Sequence, residues 1–168
     1  METNSNTQLN HIAIVGMAGR FPAAQNITEF WHNLIQGKQS SVELTDEELR
    51  DSGVPEHYIN DPAFVKKAYV VEDIDLFDAG FFQFTPKEAE ITDPQQRVLL
   101  ECCYEALEHG GYSSDRYQGL VGVYAGTGPQ SYYIRNLLPN QELLDTVGTL
   151  RMSIGNEKSF ASTMVSYK

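Results

Sequence analysis

The stretch TDPQQRVLLECCYEALEHGGY, Thr92–Tyr112, places two adjacent cysteines on what reads as a single helix. Asp93 suits the N-cap, Pro94 the first turn, and Gln96 the position of a capping-box partner. Val98, Leu99, Cys102, Cys103, Ala106 and Leu107 recur at three- and four-residue spacing and make one apolar stripe. His109 falls in the last turn, where a partly positive imidazole suits the helix dipole, and Gly110-Gly111 ends the helix. Both thiols therefore lie on or beside the buried stripe. A buried thiol away from basic neighbours is inert and packs like a small hydrophobe. Successive residues also point in different directions around a helix, so the pair is not a natural metal site or disulfide. Cys102 and Cys103 read as packing, and no catalytic residue is assigned to them.

Outward from this helix the chain alternates short apolar runs with capped helices. Residues 1–10 (METNSNTQLN) read as a flexible polar lead, and the ordered segment is 11–168. HIAIVGMAGRFP gives a buried strand at His11–Val15 that breaks at Gly16 into a loop. NITEFWHNLIQGK is a helix capped by Asn26 with Glu29 three residues on, stopped by Gly37. Its Ile27, Phe30, Trp31, Leu34 and Ile35 share a face. Lys38 to about Val71 is polar and irregular, with a short helix starting at Thr45. Phe64, Phe77, Phe81, Phe82 and Phe84 must find a core, and Thr85, Pro86 and Glu88 open another short helix. GLVGVYAGTG supplies a second buried strand, Leu120–Ala125, ending in a glycine turn. RNLLPNQELLDTVGTL reads as loop with one helical turn, and a final helix starts at about Asn156. That helix has an apolar face but no stop signal before Lys168, and two strands are few for an α/β layer. The expectation is a segment of a longer domain.

The 168 residues carry a net charge of −11 with no basic cluster, which argues against nucleic acid and anionic membrane as partners. No apolar run is long enough to span a bilayer, and the N-terminus lacks the features of a signal peptide. Two neighbouring cysteines make no disulfide framework, so the expected compartment is the reducing cytoplasm. The IVGMAG turn after a strand invites a dinucleotide reading. Its glycine fingerprint is incomplete, no helix opens directly from it, and no acidic residue follows at the required distance.

Taken in order, IAIVGMAGRFP, FWHNLIQGK, FDAGFF, PKEAEITDPQQRVLLECCYEALEHGGY, GVYAGT and GN…SYK resemble the N-terminal part of the β-ketoacyl synthase domain of modular type I polyketide synthases. The resemblance runs from His11 to Lys168, and DPQQR…LE…EALE is its most specific part. It implies an α/β, thiolase-like layered fold, of which this chain covers most of the first half, and a homodimeric parent. It also implies the activity. A cysteine accepts an acyl group from the phosphopantetheine arm of an acyl carrier protein, a malonyl-type extender loses carbon dioxide, and its carbanion attacks the thioester.

The family's nucleophilic cysteine stands in a Thr-Ala-Cys turn after the GN…SYK helix, and its two histidines come later. This chain carries none of these segments. His11, His32, His57 and His109 lie outside the family's histidine motifs, so no catalytic residue, metal ligand or bound cofactor is expected. The resemblance instead points to the GTGPQSYY turn, which reaches towards the acyl tunnel near the dimer interface. Thr127, Gly128, Pro129, Gln130 and Tyr132 are the candidate substrate-binding or interface residues; an ordinary glycine turn with tyrosines packed on a neighbour is the other reading. Met164 departs from the family, which carries an arginine there. A non-condensing partner subunit or a degenerate remnant is the alternative to a competent condensing enzyme.

Overall fold

A computed structural model of the chain describes residues 11–112 and 116–168. The flexible lead expected at residues 1–10 lies outside them. Helix starts follow the local chemistry closely. Helix α1 (Ile27–Ile35) opens on Asn26, whose side chain accepts from the Glu29 amide at 2.9 Å, and Gly37 follows at φ +63°. Helices α2 (Asp46–Asp51) and α4 (Pro86–Ile91) each begin with a complete capping box, Thr45 with Glu48 and Thr85 with Glu88. The threonine backbone and hydroxyl donors hold both glutamates below their ordinary carboxylate range. The single-turn helix α3 (Glu56–Ile59) lies between β1 (Val42–Glu43) and β2 (Lys67–Ala68), which pair antiparallel, Val42 opposite Ala68.

Helix α5 (Pro94–His109) starts as expected at Asp93, whose carboxylate accepts from the Gln95 amide at 2.8 Å. Gln96 does not act as a capping partner. It is buried, and its amide donates to the Glu157 carbonyl at 3.4 Å. The apolar stripe through Cys102 and Cys103 is only half-buried, and the most enclosed side chains of α5 are Gln96, Arg97 and Leu100. His109 accepts the Met17 N–H through Nδ1 at 2.9 Å, so it ties the glycine loop to the helix end as a hydrogen-bond acceptor. Gly16 is required beside it, because a Cβ there would stand 2.1 Å from the Ala106 carbonyl oxygen. Phe82 stacks on Phe77 and meets Phe81 edge-on, Phe81 and Phe82 reach Tyr104 on α5, and Phe64 packs separately against Tyr58.

The C-terminal third is more helical than its sequence suggests. A π-helical turn (Tyr133–Leu137) leads into α6 (Gln141–Val147), capped by Asn140, and then into α7 (Thr149–Asn156). Gly148 at φ +81° makes the corner between these two helices. The helix expected from about Asn156 therefore begins later: a 3₁₀ turn (Lys158–Phe160) precedes α8 (Ala161–Tyr167). Ile91, Leu137, Leu143 and Met152 form the main core cluster, with Tyr132 and Tyr133 packed on it.

The two expected central strands are not paired strands in this structure. Residues 11–20 and 118–130 form no helix or strand and have no ladder partners among the described residues, Ile12 is 96 % exposed, and Tyr124 is 99 % exposed. A central strand needs neighbours on both edges and layers on both faces, and local sequence cannot supply them. With Trp31, Leu34 and Ile35 on α1 also exposed, the chain presents a large apolar surface. Purified alone, it should bind a hydrophobic-surface dye strongly at neutral pH. Dye fluorescence no higher than that of a compact control protein would mean that these faces close on themselves.

Candidate functional site

The candidate turn sits against the start of α5. The Gly128 N–H donates to Oε1 of Gln95 at 2.7 Å, and Nε2 of the same amide donates to the Pro129 carbonyl at 3.3 Å and to Asp93 Oδ2 at 3.4 Å. One side-chain amide thus grips the backbone of the turn through a donor and an acceptor, as a neighbouring strand would. Glycine at 128 admits this contact undisturbed: a Cβ would lie 2.9 Å from Gln95 Oε1 and push the end of that side chain away. Gln130 donates to the Asn156 carbonyl at 3.2 Å, and the Tyr132 hydroxyl donates to the Glu90 carbonyl at 2.6 Å. Burial pushes the Tyr132 phenol above its ordinary value, so it stays a donor. Thr127 is half-buried just ahead of the grip. The structure therefore gathers all five expected residues beside the α4–α5 junction and the end of α7.

Asn156 is the node beneath them. Its side chain is buried and donates to the Ile91 and Met152 carbonyls, both at 2.7 Å, while the Asp93 amide donates to the neighbouring Gly155 carbonyl at 2.9 Å. Sequence reasoning does not single out Gln95 or Asn156. Their signal is present in the DPQQR and GN…SYK phrases, but spacing alone does not show which carbonyls and amides a side chain will meet.

The cysteines have a different setting. Both thiols are half-buried and burial pushes both upward; for Cys102 the nearby Arg20 opposes this and Glu105 adds to it. Arg20 is committed elsewhere, in a two-bond pair with Glu105 whose Nη1–Oε2 bond is 2.8 Å. That pairing raises the guanidinium and lowers the Glu105 carboxyl. It fastens the GRFP loop to α5.

A cleft of about 390 Å³ opens among α4, α7 and α8. Phe84, Ile91, Ile154, Phe160, Met164 and Tyr167 give it an apolar lining, with Arg151 and Lys168 also contributing. Lys168 stands 3.9 Å over the Phe84 ring and donates to the Gln83 carbonyl. An arginine at position 164 would bring a third cation into this lining, and methionine leaves it apolar. Among the described residues, no group of histidine, cysteine and carboxylate side chains could hold a metal ion, and no helix is long and apolar enough to cross a membrane.

The fold has counterparts of known structure. Ketosynthase twelve of the bacillaene polyketide synthase from Bacillus amyloliquefaciens superposes with a TM-score of 0.75 at 39% identity, over 92% of this chain and 27% of that one. A ketosynthase from the bacillaene synthase of Bacillus subtilis, module 6, gives 0.70 at 30% identity, over 92% of this chain and 24% of its own. These are thiolase-like folds, and the present chain has part of that fold. Residues 9–168 match the family described as Beta-ketoacyl synthase, N-terminal domain. A component of the phenolphthiocerol/phthiocerol polyketide synthase of Mycobacterium tuberculosis is 44% identical over 164 residues, which are 94% of this chain and 11% of the relative. The chain belongs to the β-ketoacyl synthase family. It spans about a quarter of the solved ketosynthase chains and about a tenth of that curated relative.

Proposed function

We propose that this chain is the N-terminal part of a polyketide synthase ketosynthase that lengthens acyl chains by decarboxylative Claisen condensation. The acyl group arrives on the phosphopantetheine of an acyl carrier protein and passes to a cysteine supplied by a segment outside this chain. A malonyl-type extender then loses carbon dioxide. Its carbanion attacks the acyl thioester, the new carbon–carbon bond forms, and the cysteine sulfur leaves as thiolate. The complete enzyme works in the cytoplasm as a homodimer, and this chain alone does not condense. Thr127, Gly128, Pro129, Gln130 and Tyr132 line the acyl path or the dimer contact in that enzyme. The observation that supports the reading best is the match of residues 9–168 to the family, in register with a solved ketosynthase at 39% identity.

The test is replacement. Residues 11–168 are exchanged for the matching segment of the bacillaene ketosynthase, and the product is followed by mass with an acyl thioester and a malonyl-loaded carrier protein. The hybrid should form the β-ketoacyl product. A folded dimeric hybrid that takes up the acyl group on its own cysteine but never condenses would move the segment to the non-condensing class.

A further inference from the structure

We propose that Gln95 is a positioning residue that sets the acyl-chain selectivity of the ketosynthase by fixing the Thr127–Tyr132 turn; this rests on the reading of that turn as part of the acyl path. The turn reaches the helical frame at three places. Tyr132 and Gln130 bind backbone carbonyls, of Glu90 and Asn156, through a single donor each. Gln95 is different, since it accepts from the Gly128 N–H and donates to the Pro129 carbonyl, so it fixes at once the two peptide groups that flank the Gly128–Pro129 peptide. Gln95 is itself anchored at the first turn of α5, where its backbone N–H and its side chain both bond to Asp93. Asp93 is in turn bonded through its amide to the Gly155 carbonyl at the end of α7. A shift of α5 is therefore transmitted to Gly128 through a single side chain, while the end of α7 also reaches the turn directly through Gln130. A β-carbon at position 128 would stand 2.9 Å from the Gln95 amide oxygen, so glycine lets the backbone N–H reach it without displacing Gln95. The turn is thus held to the first turn of α5 by two hydrogen bonds, and Thr127, immediately before it, is set in register by the same contact. A group that lines a tube for an alkyl chain controls chain length through small displacements, where each methylene accepted or refused counts.

The experiment has two parts. In the present chain, Gln95→Ala should speed hydrogen exchange of the Gly128 amide by about fivefold or more, as expected for one lost hydrogen bond. In the complete ketosynthase that this segment is proposed to open, Gln95→Ala should change the ratio of kcat/KM for a short and a long acyl thioester by about fivefold, leaving the unfolding midpoint in place. Gln95→Glu is the second variant. It keeps the acceptor for Gly128 but sets a carboxylate against the Pro129 carbonyl and Asp93, so it should shift the ratio at least as far. Thr127→Val and Gln130→Ala test the underlying reading. An unchanged Gly128 amide overturns the proposal, and so does an equal loss of kcat/KM for both thioesters, which is what a merely structural role would give. If Thr127→Val or Gln130→Ala shifts the ratio and both Gln95 variants leave it alone, the proposal fails and the acyl-path reading stands. If none of the four moves it, the acyl-path reading fails as well.

Discussion

Incubated with an excess of acyl thioester at neutral pH, the chain should keep its own mass of 18.9 kDa, with no stable adduct on either cysteine. A thiol attacks as thiolate, and condensing cysteines are kept partly ionised by a helix N-terminus or a cationic neighbour. Cys102 and Cys103 have the opposite setting. They lie in the middle of α5, away from its N-terminus, and burial pushes both thiols above their ordinary value. The cation that acts on Cys102, Arg20, is held by Glu105, whose negative charge works against ionisation of that thiol. With both pKa values pushed above the ordinary thiol range, the thiolate is a minor species at pH 7. The direction of the pH dependence follows. Any slow labelling by iodoacetamide should rise with pH beyond the ordinary thiol range, without the plateau near neutrality that an activated cysteine shows. Stoichiometric acylation at pH 7, lost in Cys102→Ala or Cys103→Ala, would overturn the packing reading of both residues. It would also place condensing chemistry inside this segment.

Signals confined to four or five residues are legible in the sequence. Asn26, Thr45, Thr85 and Asp93 each cap the helix they are expected to cap, because a cap needs only its own side chain and an amide two or three residues on. Asn140 carries the same signal for α6, yet the sequence around it reads as loop with one helical turn. Gln96 shows where such signals stop: at the correct spacing for a capping box, its side chain turns instead to the Glu157 carbonyl, more than sixty residues away. The strands fail for the same physical reason on a larger scale. His11–Val15 and Leu120–Ala125 have the composition of buried strands, but pairing is a property of neighbours, and the described residues supply none. The five turn residues follow from a family resemblance, and the structure adds what a resemblance cannot, namely the Gln95 and Asn156 contacts that hold them. Met164 is legible as a departure, and its place in an apolar cleft beside Arg151 and Lys168 is not.

Asn156→Asp should be among the most damaging single-atom changes in this chain. The native side chain is 2 % exposed and presents its NH₂ group to two carbonyl oxygens, of Ile91 and Met152, each at 2.7 Å. Aspartate keeps the shape but replaces two donors with an ionised acceptor, so a buried negative charge would face two carbonyl dipoles. The loss expected is about 3 kcal/mol or more, against about 2 kcal/mol for Asn156→Ala, which removes the donors but brings no charge. The readout is local. The Asp93 amide donates to the Gly155 carbonyl next to this node, so its hydrogen-exchange protection should fall about a hundredfold in the aspartate variant. The Glu29 amide, held by Asn26 at the start of α1, serves as the unaffected reference. The sign with pH is fixed by the chemistry. Burial raises the pKa of the new carboxyl above its unfolded value, so the folded state binds the proton more tightly and stability falls as pH rises past about 4. Acidifying to that range should restore part of the protection in Asn156→Asp and none of it in Asn156→Ala, because only the protonated acid can donate to one of the two carbonyls. Equal protection in the aspartate variant and the parent at pH 7 would mean that Asn156 does not join α4, α7 and the Gln130 end of the turn. The turn would then depend on Gln95 and Tyr132 alone.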